Sequence, residues 1–408
     1  MTTSKNIQFC KECLYGSTHP LGLTFNQDGV CSGCIVHKEK YEIDWTYKWS
    51  LLKKITNCYK SKKNNYDCIV PITGANDSYY IVYLVKKLGL NPLVVSNNKY
   101  FNTNLGIENL ANLRIKFGVD AMSRNINPEI VKKITRFTLS KYGNIYWPVL
   151  AGSTVYPVQM AVKYKIPLII WGAHQGLEQV GMYSHHNEVE MTRRYRKNHD
   201  LFGLEAEDLL QTQNLLREED LINYIYPSDN KINQIGVRGI YLGNYVLWDQ
   251  KSQHEKMIKL FQYKTSRFSR TLDCYDHVDC FNYMNLHDLL KYYKHGYSKI
   301  TDQLTREIRF KRISKGSALS LVKFYEKQSI KYLDLFCNWA SIDSKSLMHL
   351  INSFRNKNFW NRVDSDQWKF NGWSNQNRSN NNNKKIISFI KNSDFNNQYI
   401  TVGKGWKF

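Results

Sequence analysis

An apolar segment at residues 66–72 runs into a loop of small and hydroxyl-bearing residues, which opens a segment with helical periodicity. The loop consists of Thr73, Gly74, Ala75, Asn76, Asp77 and Ser78. A turn of this kind lets backbone N–H groups point at phosphate oxygens, and the start of the following helix adds its partial positive charge. The loop therefore predicts a phosphate-binding site, and with it a site for ATP and Mg²⁺.

The spacing of this loop separates it from the Walker P-loop, because no lysine stands between Gly74 and Ser78. It resembles instead the Ser-Gly-Gly-x-Asp-Ser loop of the PP-loop ATP-pyrophosphatases, which release pyrophosphate and adenylate a carbonyl oxygen. Thr73 keeps the first hydroxyl, but Ala75 replaces a glycine and would be penalised if the turn needs a positive φ. The alternative is an ordinary strand-turn-helix junction in which Asp77 or Ser78 caps the helix.

Four of the nine cysteines form two C-x2-C pairs, Cys10 with Cys13 and Cys31 with Cys34, with 17 residues between the pairs. This is the spacing of a four-thiolate zinc site, and Gly33 allows one of the tight bends that it needs. A closed site of this type is structural rather than catalytic. Because the cysteine count is odd and we find no export signal, we do not expect a disulfide framework.

The composition is that of a folded protein long enough for two domains, with 408 residues of which 42% are hydrophobic. No apolar run approaches the roughly 18 residues needed to cross a bilayer, so we expect no membrane insertion and a cytoplasmic location. The net charge of +22 would suit nucleic acid, a membrane surface or small anions. The densest basic clusters lie at 193–197 and 306–312, and a solvated surface is the simplest interpretation of most of these charges.

Apolar strand patterns alternate with helical ones through the first half of the chain. Strands are predicted at 67–72, 92–96, 119–123 and 166–171, and helices at 44–60, 78–88, 103–117, 128–142 and 154–164. This order predicts a doubly wound parallel α/β sheet, whose ligands bind at the carboxyl ends of the strands. The phosphate loop, residues 96–98 and residues 172–174 all lie at such ends.

Beyond about residue 234 the pattern becomes helical, with helices predicted at 253–263, 286–294, 301–312 and 318–327, and from about 374 the sequence is rich in asparagine. We therefore predict four regions. These are a zinc knuckle at 1–45, an ATP-binding α/β domain at 46–233, a helical C-terminal subdomain at 234–373 and an Asn-rich tail at 374–408.

The order of cysteine pairs, phosphate loop and helical region resembles the N-acetyl sugar amidotransferase family of surface-polysaccharide and nonulosonic-acid biosynthesis. The resemblance covers roughly residues 10–373. Further segments that carry it are 23–31, 161–172, 236–242, 248–249, 295–297, 301–302, 308–309 and 312–313. It implies a PP-loop fold and the ATP-dependent conversion of a sugar acetamido group to an acetamidino group.

In the implied reaction the amide oxygen attacks the α-phosphorus of ATP, pyrophosphate leaves, and ammonia then displaces AMP from the imidoyl carbon. Such chemistry depends on positioning and on charge neutralisation by Mg²⁺ and basic groups, and it needs no nucleophilic side chain. The cysteines outside the zinc pairs lack the context of a glutaminase nucleophile. The resemblance therefore implies a separate glutaminase and an ammonia-channelling companion subunit as partners, besides the sugar substrate.

The motif positions assign roles to individual residues. For ATP binding we assign Thr73, Gly74, Ala75, Asn76, Asp77, Ser78, Ser96 and Gly172. For catalysis we assign Asp77, Ser78 and His174, with Asp77 orienting the loop or Mg²⁺; a plain polar loop residue is the alternative for His174. For substrate contacts we assign Glu178, Asp249, Asp302, Arg309 and Arg312, although the two arginines could equally form the basic face of an exposed helix.

Two other functions stay open. The first is a tRNA-modifying PP-loop enzyme of the thiolation type, which would need catalytic cysteines near the loop and a basic RNA-binding surface. Cys68 precedes the loop without an obvious second cysteine, and the segments quoted above favour the sugar enzyme, so we expect no nucleic-acid partner. The second is a catalytically degenerate nucleotide-binding subunit, which a Gly at position 75 would reactivate.

Overall fold

A computed structural model describes residues 7–63, 65–75, 77–210, 215–364, 367–372 and 399–400. The strands are β1 (Cys68–Pro71), β2 (Pro92–Asn97), β3 (Asn102–Thr103), β4 (Asp120–Arg124), β5 (Leu168–Trp171), β6 (Arg238–Tyr241), β7 (Trp360–Arg362), β8 (Trp368–Phe370) and β9 (Tyr399–Ile400). Among these residues no helix combines the length and the apolar character that a membrane crossing requires.

Seventeen α-helices are found in the described residues, with 3-10 turns at Ile222–Tyr224 and Leu242–Asn244 and a π-helical turn at Tyr283–His287. The helices before β6 are α1 (Ser32–Glu39), α2 (Trp45–Asn57), α3 (Ser78–Lys87), α4 (Asn104–Phe117), α5 (Pro128–Tyr142), α6 (Trp147–Tyr164), α7 (Gln175–Glu178), α8 (Arg193–His199), α9 (Ala206–Leu210), α10 (Glu218–Leu221) and α11 (Asp229–Ile235). Those after it are α12 (Gln250–Phe261), α13 (Asp288–His295), α14 (Lys299–Arg309), α15 (Lys315–Glu326), α16 (Leu333–Ala340) and α17 (Ser344–Ser353).

The central element is a five-stranded sheet in the order β4-β2-β1-β5-β6. Every neighbouring pair in it is parallel. The chain starts in the middle at β1, builds outwards to β4, and then returns to the other side of β1 for β5 and β6. The strand order therefore reverses between β1 and β5, which is where open α/β sheets bind their ligands. The predicted doubly wound parallel sheet is confirmed.

Alternating residues of the strands enter two separate cores. Val70 and Ile170 pack with α3, α4 and α12 on one face, whereas Ile69 and Ile169 pack with α6 on the other. Successive side chains of a strand point to opposite faces, and both faces of a parallel sheet are covered by helices, so both sets are apolar. This packing fixes where each strand ends relative to its neighbours in the sheet. It therefore also fixes the position of the loops that follow the strands.

The sheet extends beyond the predicted boundary at residue 234. Strand β6 pairs with β5, and α12 packs on the same face as α3, so the α/β unit reaches to about residue 261. Position 239, inside β6, is a glycine because a Cβ there would lie only 2.6 Å from the Cβ of Met191. A glycine in the middle of a short strand weakens its sequence signal, which explains why this strand was not predicted.

The N-terminal segment 7–40, which we call the cysteine knuckle, packs against both the helical C-terminal region and the loop around α7. Its Tyr15 hydroxyl donates to Asp302 of α14 at 2.9 Å, and its Ser32 hydroxyl donates to the carbonyl of Val180 at 2.6 Å. Gly181 lies directly under Ser32 with a φ of +65°, and a Cβ at Gly181 would be 2.3 Å from the Ser32 carbonyl oxygen. The knuckle thus packs against the rest of the molecule through a close backbone contact.

We expect Gly181→Ala to lower the free energy of unfolding by roughly 1–2 kcal/mol for the left-handed backbone and by roughly 1–3 kcal/mol more for the collision with Ser32. The matched control is Gly203→Ala, because Gly203 also has a positive φ, +83°, but has open space around its Cβ position. Urea unfolding of both variants measures the difference. Equal losses for the two variants would show that the knuckle is not held by this contact.

Candidate active site

Two neighbouring cavities open at the carboxyl ends of the parallel strands. The smaller, about 200 Å³, lies between the ends of β1 and β5, where the strand order reverses. The larger, about 440 Å³, extends towards the C-terminal helices and the cysteine knuckle. Four residues line both cavities: Thr73, Asp77, Ser153 and Gln175. A ligand that spans both cavities must therefore pass the phosphate loop.

The phosphate loop is held closed by hydrogen bonds between its two ends. The backbone N–H of Thr73 donates to the hydroxyl of Ser78 at 3.0 Å, and that hydroxyl donates to the carbonyl of Ala75 at 2.9 Å. Gly74 has a φ of +81°, whereas Ala75 does not occupy the left-handed region. The extra Cβ in this loop therefore carries no conformational penalty. Asn76 lies outside the described residues.

Asp77 does not cap the helix that follows it. Its side chain makes no capping hydrogen bond to α3, and its Oδ1 atom is buried without a hydrogen-bond partner. Burial, with a smaller contribution from Asp276, raises the pKa of Asp77 from its ordinary value of 3.8 to about 7, against the opposing effect of Arg306. A buried carboxylate oxygen beside a phosphate loop fits an Mg²⁺ ligand. The cation would supply neutralisation of phosphate charge.

The smaller cavity has the walls expected of a nucleotide site at a strand-order reversal. It contains Gly172, where a Cβ would come within 2.9 Å of Ile81 Cδ1, so a larger residue would reduce its volume. Asn97 also lines it, whereas the neighbouring Ser96 does not. The Ser96 hydroxyl is instead 2.7 Å from that of Ser123 on the adjacent strand. Two ATP-binding residues were predicted outside the loop, and of these Gly172 lines the smaller cavity whereas Ser96 does not.

Five cationic side chains line the larger cavity. They are Lys99, Lys291, Lys294, Lys299 and Arg306. Four of these come from α13 and α14, so the C-terminal region supplies most of the positive charge. Carboxylates of Asp77, Asp200, Asp276 and Asp302 line the same space. The cavity therefore offers cations for phosphate oxygens and carboxylates for a metal ion within one enclosed volume.

The cations differ in how they are held. Lys99 forms a buried ion pair with Asp279, and burial lowers the pKa of Lys99 to about 8. Lys294 donates to the carbonyl of Tyr142 at 2.8 Å, and burial also lowers the pKa of this lysine. Because Lys294 is bound to a carbonyl oxygen rather than to a carboxylate, its charge is available to an anionic ligand.

The structure places His174 outside both cavities. Its imidazole is buried against the rings of Tyr195 at 4.0 Å and Tyr241 at 4.6 Å, and neither ring nitrogen has a hydrogen-bond partner. Burial, followed by the charge of Arg196, lowers the pKa of His174 to about 3. This imidazole packs in an aromatic core at the end of β5, and it does not contact the space where a substrate would lie.

Among the five predicted substrate residues, Asp302 alone lines the larger cavity, where it pairs with Lys291. Glu178 and Arg309 line a separate space of about 70 Å³ beside the cysteine knuckle. Glu178 accepts a hydrogen bond from the Lys40 ammonium at 2.6 Å. Neither of these two side chains lines the two larger cavities.

The two remaining substrate positions form an ion pair with each other. The guanidinium of Arg312 binds the carboxylate of Asp249 and also approaches Glu307 at 3.2 Å. The pKa of Asp249 is held below its usual range by this guanidinium and the Ser252 hydroxyl, although burial opposes them. Neither residue lines the two cavities, and the pair instead joins the start of α12 to the end of α14.

The four predicted zinc ligands come together as one buried cluster. The Sγ atoms of Cys10, Cys13, Cys31 and Cys34 all lie within 4.8 Å of one another. A tetrahedron with zinc–sulfur bonds of about 2.3 Å needs similar separations, so the cluster fits Zn²⁺. Backbone N–H groups of Cys13 and Cys31 also point at Cys10 Sγ, at 3.4 and 3.3 Å. Four protein ligands leave no open coordination position, which suits a structural role.

The cysteine cluster is connected to the larger cavity through the knuckle. Three residues between the two cysteine pairs, namely His19, Pro20 and Leu21, line this cavity. Arg309 links the two features from the other side, since its guanidinium donates to the carbonyls of Glu178 and Gln179, each at 3.0 Å, and lies 3.7 Å from Cys31 Sγ. The cysteine cluster therefore supports one wall of the candidate active site.

Several lining residues were not predicted from the sequence. Ser153 and Gln175 border both cavities but belong to no motif, and Lys99 and Lys294 are ordinary lysines in a lysine-rich chain. Asp276 lies in a segment without periodic signal, between α12 and the π-helical turn. The position of Lys99 just beyond the end of β2 is the one sequence signal that could have suggested it, because ligands gather at strand ends.

Comparison with known families gives a match in the C-terminal part of the chain. Residues 261–373 match the model described as LPS biosynthesis protein WbpG-like, C-terminal domain. The match begins where α12 ends, and it includes α13 and α14, which carry four of the five cations. It agrees with the recognition of a surface-polysaccharide enzyme from the sequence. A search of curated proteins gave no significant match.

Solved structures with partial similarity include two synthetases. The NH3-dependent NAD synthetase from Campylobacter jejuni, in complex with nitrate, is 10% identical, covers 47% of this chain and 92% of its own, and has a TM-score of 0.28. The NMN synthetase from Francisella tularensis is 12% identical, covers 48% of this chain and 93% of its own, and has a TM-score of 0.26. We draw no functional conclusion from scores this low.

We expect Cys31→Ser to lower the zinc content from one ion per chain to near zero and the free energy of unfolding by more than about 3 kcal/mol. The reason is that three thiolates cannot close the site that holds the knuckle together. Metal analysis and thermal unfolding measure the two effects. The control is Cys58→Ser, because Cys58 is exposed and outside the cluster. Full zinc content in Cys31→Ser would refute the assignment.

The raised pKa of Asp77 predicts a pH dependence of stability. Between pH 4 and 7 the folded protein keeps a proton on Asp77 that the unfolded chain loses, so this group makes the free energy of unfolding fall as the pH rises. Asp77→Asn removes the group, and its stability relative to the wild-type protein should therefore increase across this range. Urea unfolding at several pH values measures the difference. A difference that does not change with pH would contradict the assignment.

Proposed function

We propose that this protein is an ATP-dependent amidotransferase that converts an acetamido group of a sugar to an acetamidino group, releasing AMP and pyrophosphate, in surface-glycan biosynthesis. The observation that carries the proposal is the junction of the two cavities at Thr73 and Asp77. One cavity has the position of a nucleotide site, and the other has the size of a small-molecule site with cationic walls. The phosphate loop lies between them, where the α-phosphate would meet a substrate oxygen.

The shape of the site supports adenylation rather than transfer of a terminal phosphate. With the nucleoside in the smaller cavity, the triphosphate runs along the phosphate loop towards the cations of α13 and α14. Lys294 and Lys299 would then receive the departing pyrophosphate, while Asp77 holds Mg²⁺. The acetamido oxygen of the sugar would approach from the larger cavity. This chemistry requires positioned charges and no covalent intermediate with a side chain.

The contacts of the basic clusters argue against the tRNA-modifying alternative. Arg193 binds Glu205 at 2.8 Å, and Lys197 binds Asp208 at 2.7 Å. In the second cluster Arg306 lies 3.3 Å from Asp276, and Arg309 is buried against the knuckle. These four side chains are paired with carboxylates or buried within the chain, so they do not form an exposed basic surface for a nucleic-acid backbone.

The cysteines also favour the sugar enzyme over a thiolation enzyme. Burial raises the pKa of the Cys68 thiol inside β1, and it raises that of Cys274 to about 11. No cysteine is among the described residues that line the two cavities. A thiolation enzyme would need a reactive thiolate at the adenylated base. We further propose, as the family resemblance implies, that ammonia is supplied by a separate glutaminase and reaches this chain through a companion subunit.

The geometry of the loop argues against a degenerate, non-catalytic subunit. Ala75 fits its backbone conformation without strain, and the hydroxyls of Thr73 and Ser78 keep the loop closed. We therefore expect Ala75→Gly to change the rate of AMP formation by less than a few fold. A large gain of activity in this variant would instead identify the natural loop as degenerate.

The test is product analysis by mass spectrometry after the purified protein is incubated with Mg-ATP, ammonium and a panel of N-acetylated nucleotide sugars and nonulosonic acids. We expect AMP, pyrophosphate and a sugar in which one oxygen has been replaced by NH. Asp77→Asn should reduce the rate by about 10²-fold or more, since the metal ligand is lost. The control Asp334→Asn changes an exposed carboxylate on α16 and should keep the wild-type rate.

The outcomes separate the three candidate functions. AMP formation that requires tRNA rather than a sugar would support the RNA-modifying enzyme. Absence of ATP turnover with every sugar and with tRNA would support a nucleotide-binding subunit. Sugar-dependent AMP formation without an amidino product would show that the chain activates the amide but does not aminate it, which would contradict the proposed reaction.

A further inference from the structure

A third space, of about 70 Å³, lies beside the two cavities and is bordered by the cysteine knuckle. We call it the side space. It shares five lining residues with the larger cavity, namely Gln175, Gln179, Gln250, Asp302 and Arg306. Gln175 lines the smaller cavity as well, and its side chain is exposed. The three spaces therefore meet at this one side chain.

We propose that the side space is the passage through which ammonia reaches the adenylated amide. This inference rests on the proposed function and names the route of its third reactant. In that function the nucleoside fills the smaller cavity and the sugar fills the larger one, so ammonia must arrive from a third direction. The side space reaches Gln175, one of the four residues at the junction of the two cavities. This junction is where the adenylated carbon would lie.

The size of the side space suits a very small molecule. A molecule of the size of water needs about 10–15 Å³ of a volume measured in this way. The 70 Å³ of the side space can therefore hold a few molecules of ammonia or water, whereas the larger cavity has 440 Å³. A sugar fits the larger cavity and is excluded from the side space.

The lining of the side space offers hydrogen bonds that the protein itself does not use. Three lining residues carry a buried polar atom without a hydrogen-bond partner in the described part of the chain: Glu178 Oε1, Trp248 Nε1 and Thr305 Oγ1. Lys40 binds the other carboxylate oxygen of Glu178, and His185 Nε2 lies 4.0 Å from Oε1, beyond hydrogen-bond distance. Buried polar groups need partners, so small molecules that both donate and accept hydrogen bonds fit here. Ammonia is such a molecule.

The side space comes close to the protein surface at α1. It is lined there by His37 and Phe310, whose ring centroids are 4.6 Å apart. The ring of Tyr41 lies 6.0 Å from that of His37, and Tyr41 is 58% exposed. These rings lie between the side space and solvent, so we place the entrance for ammonia at this face of the knuckle.

Delivery of ammonia in its neutral form completes the reaction without a base. The adenylated amide keeps the proton on its own nitrogen, and the electron pair of ammonia forms the bond to the imidoyl carbon. The bond from that carbon to the oxygen of AMP breaks, and its electron pair leaves with AMP. One proton of the attacking nitrogen passes to the departing phosphate oxygen. The products are the amidinium group and AMP, so atoms and charges balance.

The experiment fills the side space in the full-length protein. Thr305 of α14 lines the side space and neither of the two cavities, so Thr305→Phe adds a ring there alone. With Mg-ATP and the sugar that is active in the product analysis, we would measure pyrophosphate release in the first turnover and kcat/KM for ammonium in amidino product formation. We expect Thr305→Phe to release pyrophosphate at close to the wild-type rate. Its kcat/KM for ammonium should fall by about tenfold or more, because only the nucleophile is obstructed.

Three further variants guard against a merely structural effect. Thr305→Val keeps the shape of the side chain and removes its hydroxyl, so it should lose much less than Thr305→Phe. Thr305→Leu fills the space in part, should give an intermediate loss, and takes the place of Thr305→Phe if that variant does not fold. Ser320→Phe puts the same ring at an exposed position of α15 and should match the wild-type protein. A wild-type kcat/KM for ammonium in a folded filling variant would overturn the proposal, and so would equal losses of pyrophosphate release and amination.

Failure of the proposed function has a different signature. In that case the wild-type protein itself would give no sugar-dependent pyrophosphate release, or would release pyrophosphate without forming an amidino product. Either result refutes the reaction and the ammonia passage together. When the wild-type protein is active, the filling variants test the route of ammonia alone.

Discussion

The candidate site depends on the hydrogen bonds of Arg309, whose guanidinium lies between three parts of the chain. Its guanidinium, carried by α14, reaches the cysteine cluster at Cys31 and the carbonyl groups of Glu178 and Gln179 next to α7. A buried guanidinium needs partners for its donors, and here Nη1 and Nη2 find them in segments far apart in sequence. Removal of one of these partners would leave a further donor of this buried group unpaired where the three segments meet.

This arrangement places the cysteine cluster, which fits a structural Zn²⁺, beside the candidate site. The knuckle contributes His19 and its neighbours to the cavity wall, and its Tyr15 holds Asp302, which in turn binds Lys291. The position of the Lys291 ammonium in the cavity wall is therefore set by Asp302, which Tyr15 of the knuckle holds in turn. A Zn²⁺ bound by the four cysteines would stabilise the knuckle, the knuckle orients the carboxylate of Asp302, and this carboxylate orients Lys291.

The sequence predicted the parts of the molecule whose signals are local. The parallel sheet follows from alternating apolar segments, the strand-loop-helix junction from its small residues, and the four-cysteine cluster from cysteine spacing, because each pattern is complete within a few tens of residues. The sixth strand was missed because Gly239 weakens it. Residues such as Lys294, Ser153 and Asp200 carry no local signal, since only the packing of distant helices brings them to one cavity. His174 follows the end of a strand, which is why it was predicted as a site residue, but its side chain packs in an aromatic core.

The pairing of Tyr15 with Asp302 joins residues 287 positions apart, and Asp302 lines the larger cavity. Contacts between such distant residues form late, because the chain entropy of a large loop must be lost before they contribute stability. We therefore expect the knuckle to dock late in folding, once Zn²⁺ has closed its cysteine cluster. Scarcity of zinc during synthesis would then reduce the number of competent molecules, while each molecule that had acquired the ion would work at its full rate.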